Sequence, residues 1–226
     1  MIDRRLTEQF GSTGSMGYRG NDLIAEIRAS AQPRLYVISG PSGVGKDTII
    51  DQLRLRLPDF YFAVTATTRP RRPGEIDGVH YFFITPAEFR RHLDDGEFME
   101  HAEVYGNLYG VPKSGVRAAL RTGRNAIIKV DVQGAATIRA LTGDAIMIFL
   151  MPTDMEALTR RLWTRKTDAR NAVLQRIDTA TNELSCVDQF DYRVFNEEDQ
   201  VDRAIDDIMA IFAAEQLKVN QREVSL

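Results

Sequence analysis

Leu35-Tyr36-Val37-Ile38-Ser39-Gly40-Pro41-Ser42-Gly43-Val44-Gly45-Lys46-Asp47-Thr48 is the stretch that decides how this chain folds. A short apolar run ends in a serine, a glycine-rich loop follows, and a lysine opens an amphipathic segment. Gly40, Gly45 and Lys46 stand at the spacing G-x-x-x-x-G-K of a P-loop. Residues without a Cβ let backbone N–H groups converge on phosphate oxygens. The helix that follows adds its positive dipole end, and Lys46 adds a full charge. The pattern places a nucleoside triphosphate on Gly40, Pro41, Ser42, Gly43, Val44, Gly45, Lys46, Asp47 and Thr48. One position dissents: the hydroxyl residue expected after the lysine, a Mg²⁺ ligand in the pattern, is Asp47.

The rest of the 226 residues alternates strand and helix signals, which means a parallel α/β sheet. Residues 1–33 read as a flexible extension of linker composition around 11–20: a disordered tail, a start placed too early with Met16 the true one, or a regulatory or docking arm. The core is expected over 34–217, with a tail at 218–226. After the P-loop helix, residues 61–65 read as a strand. Residues 66–112 change character, with a basic, proline-punctuated loop, a capping box at Thr85 and Glu88, and turn-rich sequence over 105–110. They look like a small α+β insertion. The core resumes with a helix from 114, a strand from 126 to Asp131, an apolar strand over 145–151 and a helix capped by Thr153 and Glu156. A basic stretch over about 163–176 follows, then a last strand at 192–196 and a closing helix over 204–217.

Composition narrows the function classes. A net charge of −3 argues against a general nucleic-acid or membrane surface. Cys186 is the sole cysteine, so the chain has no internal disulfide and no cysteine-built metal site. The sequence has no apolar run of membrane-spanning length and no leader pattern, which reads as a soluble cytoplasmic protein.

Several residues carry chemistry beyond the loop. Asp131 ends a hydrophobic strand as a Walker-B carboxylate does, facing Mg²⁺, or else it caps the next helix. Arg69 and Arg72 lie three apart, as two guanidiniums gripping one phosphate would, or as a solvated surface. The segment holding Arg160, Arg161, Arg165, Lys166, Arg170 and Arg176 is either a surface stripe or a set of cations for a transferring phosphoryl group.

At this point GPSGVGK, TTRPRRPGEIDGVHYFF, GEFMEHAEVYGNLYG and VDVQGA, in that order and spacing, resemble a guanylate kinase across roughly residues 34–217. The resemblance implies a P-loop NTPase-type parallel sheet flanked by helices, a nucleoside-monophosphate-binding insertion and a short helical lid. It implies transfer of the γ-phosphoryl of ATP to GMP with Mg²⁺. Carried over position by position, it puts Arg69, Arg72, Tyr81 and Tyr109 around the GMP phosphate. Glu100 faces guanine N1–H and N2–H₂, and Thr65 lies near the base. Asp131 and Gln133 line the site, with Asp47 and Asp131 as the metal carboxylates. Lys46, Arg161, Arg165 and Arg176 become the catalytic cations. An acceptor other than GMP, or a non-catalytic binding module on the same fold, are the alternatives.

Three residues depart from that pattern. Asp47 replaces a hydroxyl residue, Val111 stands where Ser or Thr is usual, and Lys129 replaces an acid two positions before Asp131. Lys129 and Asp131 share a strand face, so Asp47 and Lys129 read as compensating charges beside the metal.

Overall fold

The computed structural model describes residues 14–29, 31–104, 106–163, 170–221 and 223–226. They form two units, Met1–Gln32 and Pro33–Leu226. The first contains α1 (Gly14–Ala29), where a flexible arm is expected from composition. Leu23, Ile24 and Ile27 have the spacing of one helical face, a signal that the surrounding glycines obscure.

The second unit is built on β1 (Leu35–Ser39), in which all five residues are buried. Four further strands join it: β2 (Tyr61–Phe62), β7 (Ala126–Lys129), β8 (Ile146–Pro152) and β9 (Tyr192–Asn196). Their order is β2-β7-β1-β8-β9 and every pairing is parallel. Parallel sheets need cover on both faces, and the period-two alternation of β1 supplies both. Tyr36 and Ile38 point into one cluster with Ile49, Leu53, Ile205, Ile208 and Phe212, from α2 (Lys46–Arg56) and α8 (Val201–Gln216). Leu35 and Val37 point into the other with Val116, Ala135 and Ile138, from α4 (Lys113–Arg121) and α5 (Val132–Leu141). The α/β parallel-sheet class expected from sequence is the one observed.

A second sheet, ordered β4-β3-β6-β5, is made by β3 (Ala66–Thr67), β4 (Phe82–Phe83), β5 (Phe98–Val104) and β6 (Asn107–Pro112). With α3 (Pro86–Asp94) it encloses a small core of Ala66, Phe89 and Phe98. The α3 capping box is formed by Thr85 and Glu88 as the sequence predicts. Two local expectations are corrected. Residues 107–110, part of the stretch 105–110 read as turn-rich, belong to the strand Asn107–Pro112 paired antiparallel with β5, because Gly106 at φ +74° reverses the chain tightly enough for a hairpin. The predicted strand over 61–65 stops at Phe62, and the chain crosses to the second sheet at Ala66.

Three helices and a short 3₁₀ turn complete the order around β8 and β9. In α6 (Met155–Trp163) the cap is Asp154, whose Oδ1 accepts the Ala157 N–H at 2.7 Å, in place of the predicted Thr153. α7 (Arg170–Leu184) packs Ala180 against Leu158 and Leu162 of α6. Beyond α8 the chain returns, and Leu226 O accepts hydrogen bonds from Arg117 Nε and Nη2. Among the described residues no helix is long and apolar enough to cross a membrane.

Gly115 shows how closely α4 sits on β2: a Cβ there would overlap the Tyr61 hydroxyl and stand 2.7 Å from its Cζ. Gly115→Ala is expected to destabilise the fold by about 1–3 kcal/mol, the usual cost of overpacking. Thermal unfolding measures this, and an unchanged midpoint would show that Tyr61 moves aside freely.

Candidate functional site

The loop 40–46 leaves the C-terminal end of β1, between β7 and β8, where open parallel sheets hold their ligands. Its shape is fixed from behind. The buried Asn196 donates from Nδ2 to Val44 O at 2.7 Å, and Arg161 donates from Nη1 to the same oxygen at 3.0 Å. Gly45 caps α2 at φ +100°, and a Cβ there would lie 2.5 Å from Asn196 Nδ2. Only glycine meets both conditions at that position. Arg161, predicted to face the transferring group, is thus placed as a brace of the loop. It also donates from Nη2 to Asn196 O at 3.4 Å.

Lys46 Nζ donates to the carbonyls of Gly40 at 2.6 Å and Pro41 at 3.0 Å. Burial pushes its pKa below the ordinary lysine value, and the charges of Glu183, Asp131 and Asp47 push it back up. Those carboxylates therefore gather within electrostatic reach of one ammonium. Ser42 N–H donates to Glu183 Oε2 at 2.8 Å. Asp47, exposed with Thr48 in the first turn of α2, is ion-paired with Lys129. The compensation of charges read from sequence is a direct contact. With side chains 72% and 35% exposed, this pair stabilises the fold by less than about 1 kcal/mol. Its consequence lies in where it puts the charges.

The second sheet brings together the residues expected around an acceptor phosphate. The Arg69 guanidinium lies 5.3 Å from the centre of the Tyr81 ring, and Tyr81 meets Tyr109 edge-on at 6.2 Å. Glu75 grips Arg69 with both oxygens, at 2.7 and 3.1 Å, and also accepts the Arg72 backbone N–H at 2.7 Å. The Arg69 guanidinium holds the Glu75 carboxyl down at about 2. Arg72 itself is exposed. Half-buried Thr65 lines a small cleft with Arg54, His80, Tyr81 and Lys129.

Glu100 stands on β5, 8% exposed, facing the start of α5. A Cβ on Gly134 would lie 3.0 Å from Glu100 Oε2 and equally close to Val130 Cβ, so glycine is what allows β5 to approach α5. Asp131 Oδ1 accepts the Gly134 N–H at 2.8 Å and so caps α5, the structural half of its two sequence readings. Gln133 is exposed. Val111 is 1% exposed in the core with Met99 and Val116, so its side chain fills space where a hydroxyl is usual. Arg176 is half-buried on α7, and Arg165 lies outside the described residues.

Sequence reasoning missed three residues. Asn196 has a weak signal, as a polar residue at the end of a strand after Val194 and Phe195, and its Oδ1 is buried with no donor among the described residues. Glu75 follows the Pro-Gly turn six residues after Arg69, a spacing readable only once the loop is known to fold back. Glu183 has no sequence signal, since acids on helices are ordinary.

A family profile described as guanylate kinase matches residues 32–215. The chain is 43% identical over 196 residues to guanylate kinase 2, chloroplastic/mitochondrial, of Oryza sativa subsp. japonica, covering 86% of this chain and 69% of that one. It is 41% identical over 204 residues to a guanylate kinase of Clostridium perfringens, covering 90% and 94%. The crystal structure of a guanylate kinase from Anaplasma phagocytophilum superposes with a TM-score of 0.66 at 31% identity, covering 84% and 89%.

Burial, and then the charge of Asp131, push the Glu100 carboxyl up from 4.5 to about 7. A carboxyl that titrates higher in the folded chain leaves stability whole below pH 4.5 and erodes it as pH rises through 7. The erosion amounts to at most about 3 kcal/mol. Glu100→Gln is therefore expected to unfold at a higher temperature than the parent near pH 8, and at the same temperature near pH 4. Calorimetry at the two pH values checks this, and equal midpoints near pH 8 would contradict it.

Proposed function

The chain belongs to the guanylate kinase family, and from that premise we propose that it transfers the γ-phosphoryl group of ATP to GMP, giving ADP and GDP. The single observation that carries the guanine assignment is Glu100, a buried carboxylate at the edge of the second sheet. Guanine presents N1–H and N2–H₂ side by side, and a carboxylate accepts both; adenine lacks that pair of donors. Hydrogen bonds to an ionised partner are the stronger kind, about 1.5–3 kcal/mol each.

The donor phosphates are taken by the N–H groups of the loop 40–46 and by Lys46, which exchanges two loop carbonyls for phosphate oxygens. Arg69, Arg72, Tyr81 and Tyr109 take the acceptor phosphate, and Arg69 must share itself with, or leave, Glu75. In phosphoryl transfer the protein's work is to position two anions and offset the charge of the transition state. Lys46 and the arginines of α6, α7 and their connection, Arg161, Arg165 and Arg176, supply cations for it. Arg161 does so indirectly, through Val44 and the shape of the loop.

Mg²⁺ belongs to the proposal as well. Magnesium in such sites rides on substrate phosphates and takes one or two carboxylates from the protein. That suits this donor set: among the described residues no cluster of three metal-ligating side chains exists, yet Asp47 and Asp131 both act on Lys46. Asp131 would hold the ion through the oxygen it does not use on Gly134, and Asp47 on leaving Lys129. When bound, the ion offsets phosphate charge.

Coupled ADP-release assays with GMP, dGMP, AMP and UMP test the reading. GMP is expected to be the preferred acceptor, and Glu100→Gln to lose about 100-fold in kcat/KM for GMP, two charge-assisted hydrogen bonds weakened together. Because Glu100 accepts from both guanine donors with its two oxygens only when ionised, kcat/KM for GMP in the parent is expected to fall as pH drops below about 7. Turnover of AMP or UMP equal to that of GMP would refute the guanine assignment.

A further inference from the structure

Glu183 lies outside every motif that marks this family in the sequence, yet its carboxylate reaches into the P-loop. It stands in the last turn of α7, and Oε2 accepts the Ser42 N–H at 2.8 Å. Ser42 is in the middle of the loop, so this N–H is one of those that converge on a phosphate in such a motif. Among the charges acting on Lys46, that of Glu183 acts most strongly. One carboxylate thus engages both kinds of group that a donor phosphate uses, a backbone donor and the lysine's charge.

Packing holds it there. Gly43 presses the loop on α6, since a Cβ at that position would stand 2.9 Å from Leu162 Cδ2. Leu158 and Leu162 pack in turn on Ala180, Ile177 and Leu184 of α7. Leu184 is the next residue along the chain, so the contact that seats the end of α7 also fixes where Glu183 emerges. The carboxylate arrives by the docking of a helix pair on the loop, with its backbone tied on both sides.

We propose that Glu183 is a positioning residue of the donor site, holding the Ser42 amide with its carboxylate until a phosphate of the donor nucleotide displaces it. The proposal rests on the reading of this loop as the ATP site. A carboxylate and a phosphate are both anions, and one N–H aimed at one point serves one of them well. Donor binding is therefore an exchange, and its apparent affinity is reduced by the fraction of protein in which the carboxylate holds the amide. The same contact keeps the Ser42 N–H directed outward, so the loop presents its donors in order when the phosphate arrives.

Binding of ATP, pyrophosphate and GMP by calorimetry, each measured alone on the full chain, tests this in the parent, Glu183→Gln and Glu183→Ala. Both variants are expected to bind ATP and pyrophosphate about 10-fold more tightly, the lower end of the scale of one charge-assisted hydrogen bond no longer competing. GMP affinity is expected to stay within about twofold, because its site draws on the second sheet; a role confined to holding the fold together would not separate the two nucleotides in this way. ATP affinity unchanged or weakened in both variants would overturn the proposal while leaving the donor site intact. A parent that binds neither ATP nor pyrophosphate would overturn the donor-site reading, and the proposal with it.

Discussion

The carbonyl oxygen of Val44 takes hydrogen bonds from Asn196 and Arg161, and the rest of the site depends on that double tie. A loop that turns its N–H groups toward an anion must turn some of its carbonyls the other way, into the protein. Buried carbonyls need donors. Here one donor comes from the end of β9 and the other from α6, two elements far along the chain from the loop. The tie fixes the loop against the sheet, seats α6 over Gly43, and through α6 sets the position of α7. Gly45 is the counterpart of the tie: its missing side chain is the space that the Asn196 amide occupies.

Around this frame, three of the groups expected to handle phosphate are engaged by carboxylates of the chain itself. Glu75 grips Arg69, Glu183 accepts from Ser42, and the charges of Asp131 and Asp47 act on Lys46. Asp47 in turn pairs with Lys129. The physical reason is common to all of them. Cations and convergent N–H groups assembled to bind two highly charged substrates repel one another and are costly to leave unpaired, so internal anions hold them in order. Substrate binding in such a site replaces one set of anions by another. Glu100 differs in kind: burial and the nearby charge of Asp131 raise its pKa, so the folded chain disfavours its ionised form.

Much of the architecture was legible because its signals are local. The buried run of β1, the glycine spacing, the Thr85–Glu88 capping box and the apolar period of α8 each depend on a few neighbouring residues. The hairpin over 98–112 was only half legible. Glycine and aromatic residues over 105–110 suit a turn or a strand equally, and the choice is made by Phe98 and Phe89 packing where Gly110 leaves room. Val111 stands out in the sequence only as a departure from the family's usual hydroxyl, and the structure adds that its side chain completes the cluster with Met99 and Val116.

By itself, the sequence determined the class of fold, the anion-binding loop and the family, because these rest on residue types at fixed short spacings and on motifs that need no geometry to be recognised. It also brought Asp47 and Lys129 to notice as a pair of departures. Only the tertiary structure decided that these two touch, that Arg161 braces the loop from behind, and that Glu75 and Glu183 hold Arg69 and the Ser42 amide. Those contacts join residues between 6 and 141 positions apart. They form because helices and loops pack at particular distances on a common sheet, a condition to which the order of letters along the chain gives no local mark.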